Sequence, residues 1–258
     1  ATPAHVRRLA ADGAVSVATV ARVAAHGGAG AVAALLDELA ETENRKARAR
    51  ILEILPRLGG AIGAEVVRRL ADAPWYVQRN LLAVLHALGE TPPEFAAGDW
   101  VAHPDPRVRR EALRLTLRDP AERDRAIALA VRDPDARVVQ LALVGAESHR
   151  SRRAAAAIRR AVDDRTIGVD ARAVAIRAAA AAVDEPATLP WLLAFTVAEG
   201  RWRAGRRLLR KSPDQLAALV ALRAHWSGDA QGADVLALAL ASGDPEVRAA
   251  AASYPTDR

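Results

Sequence analysis

The fold is decided by a stretch that occurs three times in related form: ENRKARARILEILPRLG (43–59), APWYVQRNLLAVLHALG (73–89) and HPDPRVRREALRLTLRD (103–119). Each copy begins 30 residues after the previous one, so that Leu55, Leu85 and Leu115 coincide. Apolar residues recur at three- and four-residue steps, which predicts one buried stripe of an α-helix. A fixed period of this length is typical of a helical repeat protein.

Further copies follow the same plan. A fourth copy, DPDARVVQLALVGAES (133–148), keeps the step, and GDPEVRAAAASYP (243–255) adds another near the end of the sequence. Asp and Pro open these copies, as expected for the first turn of a helix. Upstream of each lies a second helical pattern, so the unit is a helical hairpin that must stack on its neighbours to bury its apolar faces.

These segments resemble the HEAT-repeat family in its short bacterial form, through DPRVRREAL (105–113), DPDARVVQLAL (133–143) and DPEVRAAAA (244–252). The resemblance covers 31–148 and 230–253 well, and 1–30 and 150–228 less regularly. It implies an all-α, right-handed α-solenoid of about seven or eight stacked hairpins in one domain, 1–258. It also implies Asp–Arg ladders between neighbouring repeats, for which Asp105 with Arg109 and Asp244 with Arg248 have the right spacing.

The second copy departs from this pattern. Trp75 takes the place of Asp105, Arg79 takes the place of Arg109, and Tyr76 adds a second aromatic side chain in a chain with only 3% aromatic residues. We expect Trp75 and Tyr76 to wedge between neighbouring hairpins. The alternative is a solvent-facing anchor, because exposed aromatic residues and Arg favour binding interfaces.

Two basic features are candidate binding sites. On the helix after Asp105, Arg107, Arg110, Arg114 and Arg118 follow one stripe. The segment 199–213 is read as a short helix with a dense cationic face. Its candidate binding residues are Trp202, Arg203, Arg206, Arg207, Arg210 and Lys211. Three interpretations stay open: a solvated or internally paired face, an acidic protein partner, and nucleic acid bound through its phosphates.

Enzyme chemistry finds no support in the residue patterns. The chain lacks Cys, and none of its six His lies in a metal-ligand pair such as HExxH. No phosphate-binding glycine motif or nucleophile elbow occurs. The His–Glu pairs of HEAT-like iron hydroxylases and the Trp-Trp-Asp pattern of HEAT-like DNA glycosylases are missing as well. We expect no metal, no cofactor and no catalytic residue.

The sequence therefore predicts a non-enzymatic scaffold that binds another protein or another region of its own full-length chain. The alternative is a nucleic-acid-binding protein that uses an Arg-rich face, and a glycosylase-like enzyme is the last choice. Met is missing even at position 1, so we expect a segment of a longer bacterial protein. Because no run of 18 apolar residues lacks a charge and no signal-peptide pattern opens the chain, we expect a cytoplasmic protein without a membrane span.

Overall fold

The computed structural model describes residues 2–199 and 206–252, and α-helices dominate them. Contacts between residues divide the chain into two compact units, one ending at Arg118 and one beginning at Asp119. The all-α prediction is confirmed, apart from one two-stranded sheet.

In the first unit the helices are α1 (Pro3–Ala11), α2 (Val17–Glu41), α3 (Arg45–Ile54), α4 (Gly63–Arg68), α5 (Trp75–Leu88) and α6 (Pro106–Thr116). Short 3-10 turns lie at Leu55–Leu58, Gly60–Ile62 and Ala97–Trp100. Apolar side chains of α1, α2, α3, α5 and α6 form one buried core. The stretch 90–104, in which Pro92, Pro93 and Gly98 interrupt the helical pattern, contains only the last of these turns.

In the second unit the helices are α7 (Pro120–Ala130), α8 (Ala136–His149), α9 (Arg152–Asp163), α10 (Val169–Ala180), α11 (Thr188–Thr196), α12 (Pro213–His225), α13 (Ala230–Leu240) and α14 (Pro245–Ala251). The strands β1 (Val197–Glu199) and β2 (Arg206–Leu208) pair antiparallel, with Val197 opposite Leu208. The core is rich in small residues, and α10 alone buries four alanines.

Polar caps explain where most helices begin. An Asp, Asn, Ser or Thr side chain accepts a hydrogen bond from a backbone N–H that has no partner within the helix. Proline often follows at the first helical position, where its missing N–H costs nothing. The predicted Asp–Pro starts are therefore confirmed at Asp105 and Asp244, and Asp119 caps α7 before Pro120 in the same way.

The second helix, α2, is broken at Gly28, as its HGGAG stretch predicts. Gly28 has φ 60° and ψ −152°, a conformation that only glycine adopts readily. By length and composition alone Val17–Glu41 could cross a membrane. It packs both of its halves into the core of the first unit, through Val20 on one side of the break and Leu35 on the other.

The predicted basic helix at 199–213 is wrong. Among its described residues, Glu199 ends β1, Arg206–Leu208 forms β2, and residues 209–212 precede the helix that begins at Pro213. The cause is a tertiary contact that helical periodicity does not reveal. The buried amide of Gln215 donates hydrogen bonds to the carbonyls of Thr196 and Leu209, at 3.4 and 2.9 Å, while the Leu209 N–H bonds to the Thr196 carbonyl. These bonds hold the base of the hairpin in an extended conformation.

Candidate binding surface

Trp75 and Tyr76 begin α5, and both lie at the surface. Their exposed fractions are 37% and 46%. The expected wedge between hairpins is therefore wrong for both side chains. The reason is their position: the side of α5 that faces the core starts one residue later, with Val77 and Gln78. The two rings meet edge to face, with centroids 5.7 Å apart and planes at 87°.

Arg107, from the first turn of α6, covers one face of Trp75. Its guanidinium carbon lies 3.5 Å from the ring centroid, in cation–π geometry. Asp105 fixes this guanidinium through hydrogen bonds from Nε at 3.1 Å and Nη2 at 2.9 Å. The hydrogen bond raises the pKa of Arg107 and lowers the pKa of Asp105, so both stay charged at neutral pH. The sequence stripe on α6 thus meets the aromatic pair on α5.

Arg79 stands one turn further along α5 and is half-buried. Its Nε donates to the side-chain oxygen of buried Asn80 at 3.1 Å. Burial lowers the pKa of Arg79, Glu111 opposes this change, and the neighbouring charges of Arg48, Arg107 and Arg110 reinforce it. The four arginines therefore share one neighbourhood across α3, α5 and α6.

The remaining arginines of the α6 stripe have different environments. Arg110 is half-buried, and its Nε is shielded from solvent without a hydrogen-bond partner among the described residues. Arg114 donates to both oxygens of buried Glu111, at 3.0 and 2.9 Å. Arg118 donates to the His86 carbonyl. The predicted stripe is real, but Arg114 is internally paired, as the alternative interpretation held.

We call Trp75, Tyr76, Arg79, Arg107 and Arg110 the aromatic–arginine surface. Arg48 borders it and was not singled out from the sequence. The signal that would have found it is the spacing from the helix cap, since Arg48 lies four residues after Asn44 as Arg109 does after Asp105. Buried Asn80 and Glu111 orient Arg79 and Arg114, respectively. The sequence indicates the second pair, because Glu111 precedes Arg114 by three residues.

The arginines expected to form ladders contact their own turns. Arg109 donates to the carbonyl of His103 at 2.8 Å, and Arg248 to that of Ser242 at 2.6 Å. Arg48 makes the same bond to Thr42 at 2.7 Å. In each case the arginine lies four residues after the capping Asn or Asp and reaches back six residues. This contact ties each turn to the helix that follows. Ladders between repeats stay a prediction.

The second basic feature is only partly described. Trp202 and Arg203 lie outside the described residues. Arg206 is half-buried on β2, while Arg207 and Arg210 are exposed. A single cationic helical face is therefore not formed by the residues that the structure describes.

Lys211 forms ion pairs within the fold. Its ammonium lies 2.9 Å from Asp244 and 3.5 Å from Glu246, at the start of α14. The hydrogen bond to Asp244 raises the pKa of Lys211 and lowers that of Asp244. The predicted pairing of this basic segment with its acidic surroundings is therefore confirmed for Lys211.

Two clefts lie in the first unit. The larger, about 650 Å³, is lined mainly by alanines of α2 and by Leu58 and Ile62. The other, about 490 Å³, is rimmed by ion pairs of Asp37 with Arg69 at 2.9 Å and of Glu65 with Arg68 and Arg69. Within 2–199 and 206–252 no three His, Asp or Glu side chains meet as metal ligands.

Comparison with known proteins finds no matching family model and no matching curated protein. Fifteen chains of solved structures match. One is an engineered protein solved by a structural genomics consortium. It is 18% identical, with a TM-score of 0.44, over 95% of this chain and 75% of that chain.

Proposed function

We propose that this chain is a non-enzymatic scaffold that binds another protein, or another region of its own full-length chain, through the aromatic–arginine surface. The observation that carries the proposal is the exposure of Trp75 and Tyr76 side by side among arginines. Tryptophan, tyrosine and arginine are the residues that dominate binding energy at protein interfaces. A site with this composition needs no cofactor or catalytic group.

The proposed architecture is a right-handed α-solenoid of HEAT-like hairpins, in a bacterial cytoplasmic protein. It is supported by the repeated capped helix starts and by the recurring bond from Arg48, Arg109 and Arg248 to a carbonyl six residues earlier. In a stack of this kind the second helices of successive hairpins form one continuous face. The aromatic–arginine surface draws its side chains from two such helices, α5 and α6.

Nucleic acid is the second candidate, because Trp and Arg together can stack bases and hold phosphates. Labelled single- and double-stranded DNA and RNA, titrated at low and high salt, test it directly. We expect no tight, steeply salt-dependent binding.

Affinity isolation from the cells that express the chain tests the protein-binding proposal. We compare the wild type with a Trp75→Ala, Tyr76→Ala double variant, and we quantify co-purified proteins by mass spectrometry. At least one protein should be depleted about tenfold with the double variant. A matched control changes Leu129 and Val144, exposed apolar residues of α7 and α8, to Ala. Equal recovery of all proteins with the wild type and the double variant would contradict the proposal.

A further inference from the structure

Three guanidinium groups, two in the aromatic–arginine surface and one at its border, have no carboxylate within ion-pair distance among the described residues. They are those of Arg48, Arg79 and Arg110. Arg48 bonds to a backbone carbonyl, and Arg79 bonds to the neutral amide of Asn80. The Nε of Arg110 has no hydrogen-bond partner in the part of the chain that the structure describes. A charged group that is partly removed from water and lacks a counterion is energetically costly.

The nearby carboxylates cannot supply that counterion. Asp105 holds Arg107 through two hydrogen bonds, and buried Glu111 holds Arg114 through two more. These pairings leave Arg48 and Arg110 without a carboxylate partner among the described residues, and Glu111 offsets only part of the unfavourable environment of Arg79. An external anion would therefore gain charge-assisted hydrogen bonds, which are about twice as strong as neutral ones.

Trp75 and Tyr76 add an apolar contact beside these three arginines. Arg107 occupies one face of Trp75, and Tyr76 stands edge-on to the ring. The pair therefore forms a corner that fits a side chain, and it lacks the parallel faces on which successive bases stack. Along α6 the cationic stripe does not continue as an open track, because Arg114 and Arg118 already have partners. Both features favour a peptide over a nucleic acid backbone.

We propose that the aromatic–arginine surface binds an acidic segment of the partner protein, with carboxylates at Arg48, Arg79 and Arg110 and an apolar side chain against Trp75 and Tyr76. This inference rests on the proposed function and gives the chemistry of the ligand. Binding of this kind weakens with salt, since the charges lie near the surface.

A labelled peptide in which glutamate alternates with phenylalanine is the probe, and the same peptide with glutamine in place of glutamate is its reference. Fluorescence anisotropy at low salt measures both affinities. We expect the glutamate peptide to bind about tenfold tighter or more, and we expect this preference to disappear in an Arg79→Gln, Arg110→Gln variant. The matched control, Arg137→Gln with Arg153→Gln, removes the same charge from exposed positions of the second unit and should keep the preference.

Because Arg79 and Arg110 are half-buried, replacing them also affects the stability of the fold. A second variant, at exposed Tyr76, separates loss of peptide binding from loss of folding. Tyr76→Glu places a carboxylate on the exposed ring position, where it competes for the same arginines. It should abolish the preference for the glutamate peptide while circular dichroism stays unchanged, and Tyr76→Gln should retain that preference.

Two outcomes overturn the inference. One is equal affinity for the glutamate and glutamine peptides. The other is a preference that survives in the Tyr76→Glu variant. Suppose that either outcome occurs while the double variant Trp75→Ala, Tyr76→Ala still loses a co-purified protein. The scaffold proposal then stands, and only the assignment of an acidic ligand is wrong. If no protein is lost with that double variant, the proposed function itself fails.

Discussion

Trp75 lies at the surface, and its neighbours cover only part of its ring. Arg107 covers one face, Tyr76 touches the ring, and more than a third of the residue remains in water. A Trp→Ala change at such a site removes a cation–π contact and some area without opening a closed cavity.

We therefore expect Trp75→Ala to lower the free energy of unfolding by about 1 kcal/mol. Leu81, fully buried on the same helix, is the comparison, and Leu81→Ala should cost about 2–5 kcal/mol. Urea unfolding followed by circular dichroism measures both. A loss for Trp75→Ala as large as that for Leu81→Ala would return the tryptophan to a packing role.

His86 links stability to pH. Burial lowers its pKa, and the positive charges of Arg118 and Arg114 lower it further, against a smaller opposing effect of Glu111. The folded chain thus binds a proton at His86 less readily than the unfolded chain does. Its contribution to stability is complete above the unfolded pKa of about 6.5 and is lost as the pH falls from there toward the lower folded pKa.

We expect His86→Gln to make the decline in unfolding free energy below pH 6.5 shallower, because glutamine does not titrate. Denaturant unfolding between about pH 5 and pH 8 checks it, and the interval above pH 7 serves as the internal reference. Parallel pH profiles for the variant and the wild type would show that His86 makes no such contribution. Burial lowers the pKa of His149 and of His225 as well, so the His86→Gln variant should keep a residual slope.

At the scale of the element, α2 depends on one glycine. The mirror-image backbone of Gly28 breaks the helix and lets both halves pack in the core of the first unit. Gly30, two residues later, is helical and exposed, and an added Cβ would meet only Pro3 at 3.8 Å.

Replacing these two glycines with alanine should change the free energy of unfolding in opposite directions. Gly28→Ala should cost about 1–3 kcal/mol of unfolding free energy, since alanine is strained at a positive φ. Gly30→Ala should add about 0.5–1 kcal/mol, because alanine is the better helix former. Thermal melts of the two variants give the comparison directly. A stabilising Gly28→Ala would show that the break in α2 is not required.

Elements with local causes were predictable. Asp105 and Asp244 cap their helices as their positions before Pro indicate, and the glycines of HGGAG mark the break in α2. The strand β2 was not predictable, because the bonds that hold it come from Gln215, in the next helix. The exposure of Trp75 depends on which side of α5 faces the core. The repeat alignment, in which Trp75 stands at the position of Asp105, does not specify that side.

At the scale of the whole molecule, the net charge of a segment is a poor guide to the position of the aromatic–arginine surface. The densest basic segment of the sequence is 201–211, yet its Lys211 is paired with Asp244 and Glu246. Arg159 and Arg172 of the second unit are likewise paired, with Glu185 and Asp214.

Two of the arginines without a carboxylate partner among the described residues, Arg48 and Arg79, lie where the sequence is close to neutral overall, since residues 1–102 carry 11 basic and 11 acidic side chains. Arg110 lies in the basic stretch that follows. Side-chain pairing, which only the structure describes, separates arginines that stabilise the fold from those open to a ligand. This is why the sequence predicted the helices well and the site poorly.

The most direct test of the scaffold proposal is site-specific photocrosslinking from position 76 in the cells that express the chain. A photoreactive phenylalanine derivative replaces Tyr76, and the same derivative at Val144, exposed on α8, is the control. We expect illumination to produce a covalent adduct with a polypeptide from position 76 and none from position 144. Adducts with nucleic acid, or the same products from both positions, would contradict the assignment of this surface to a protein partner.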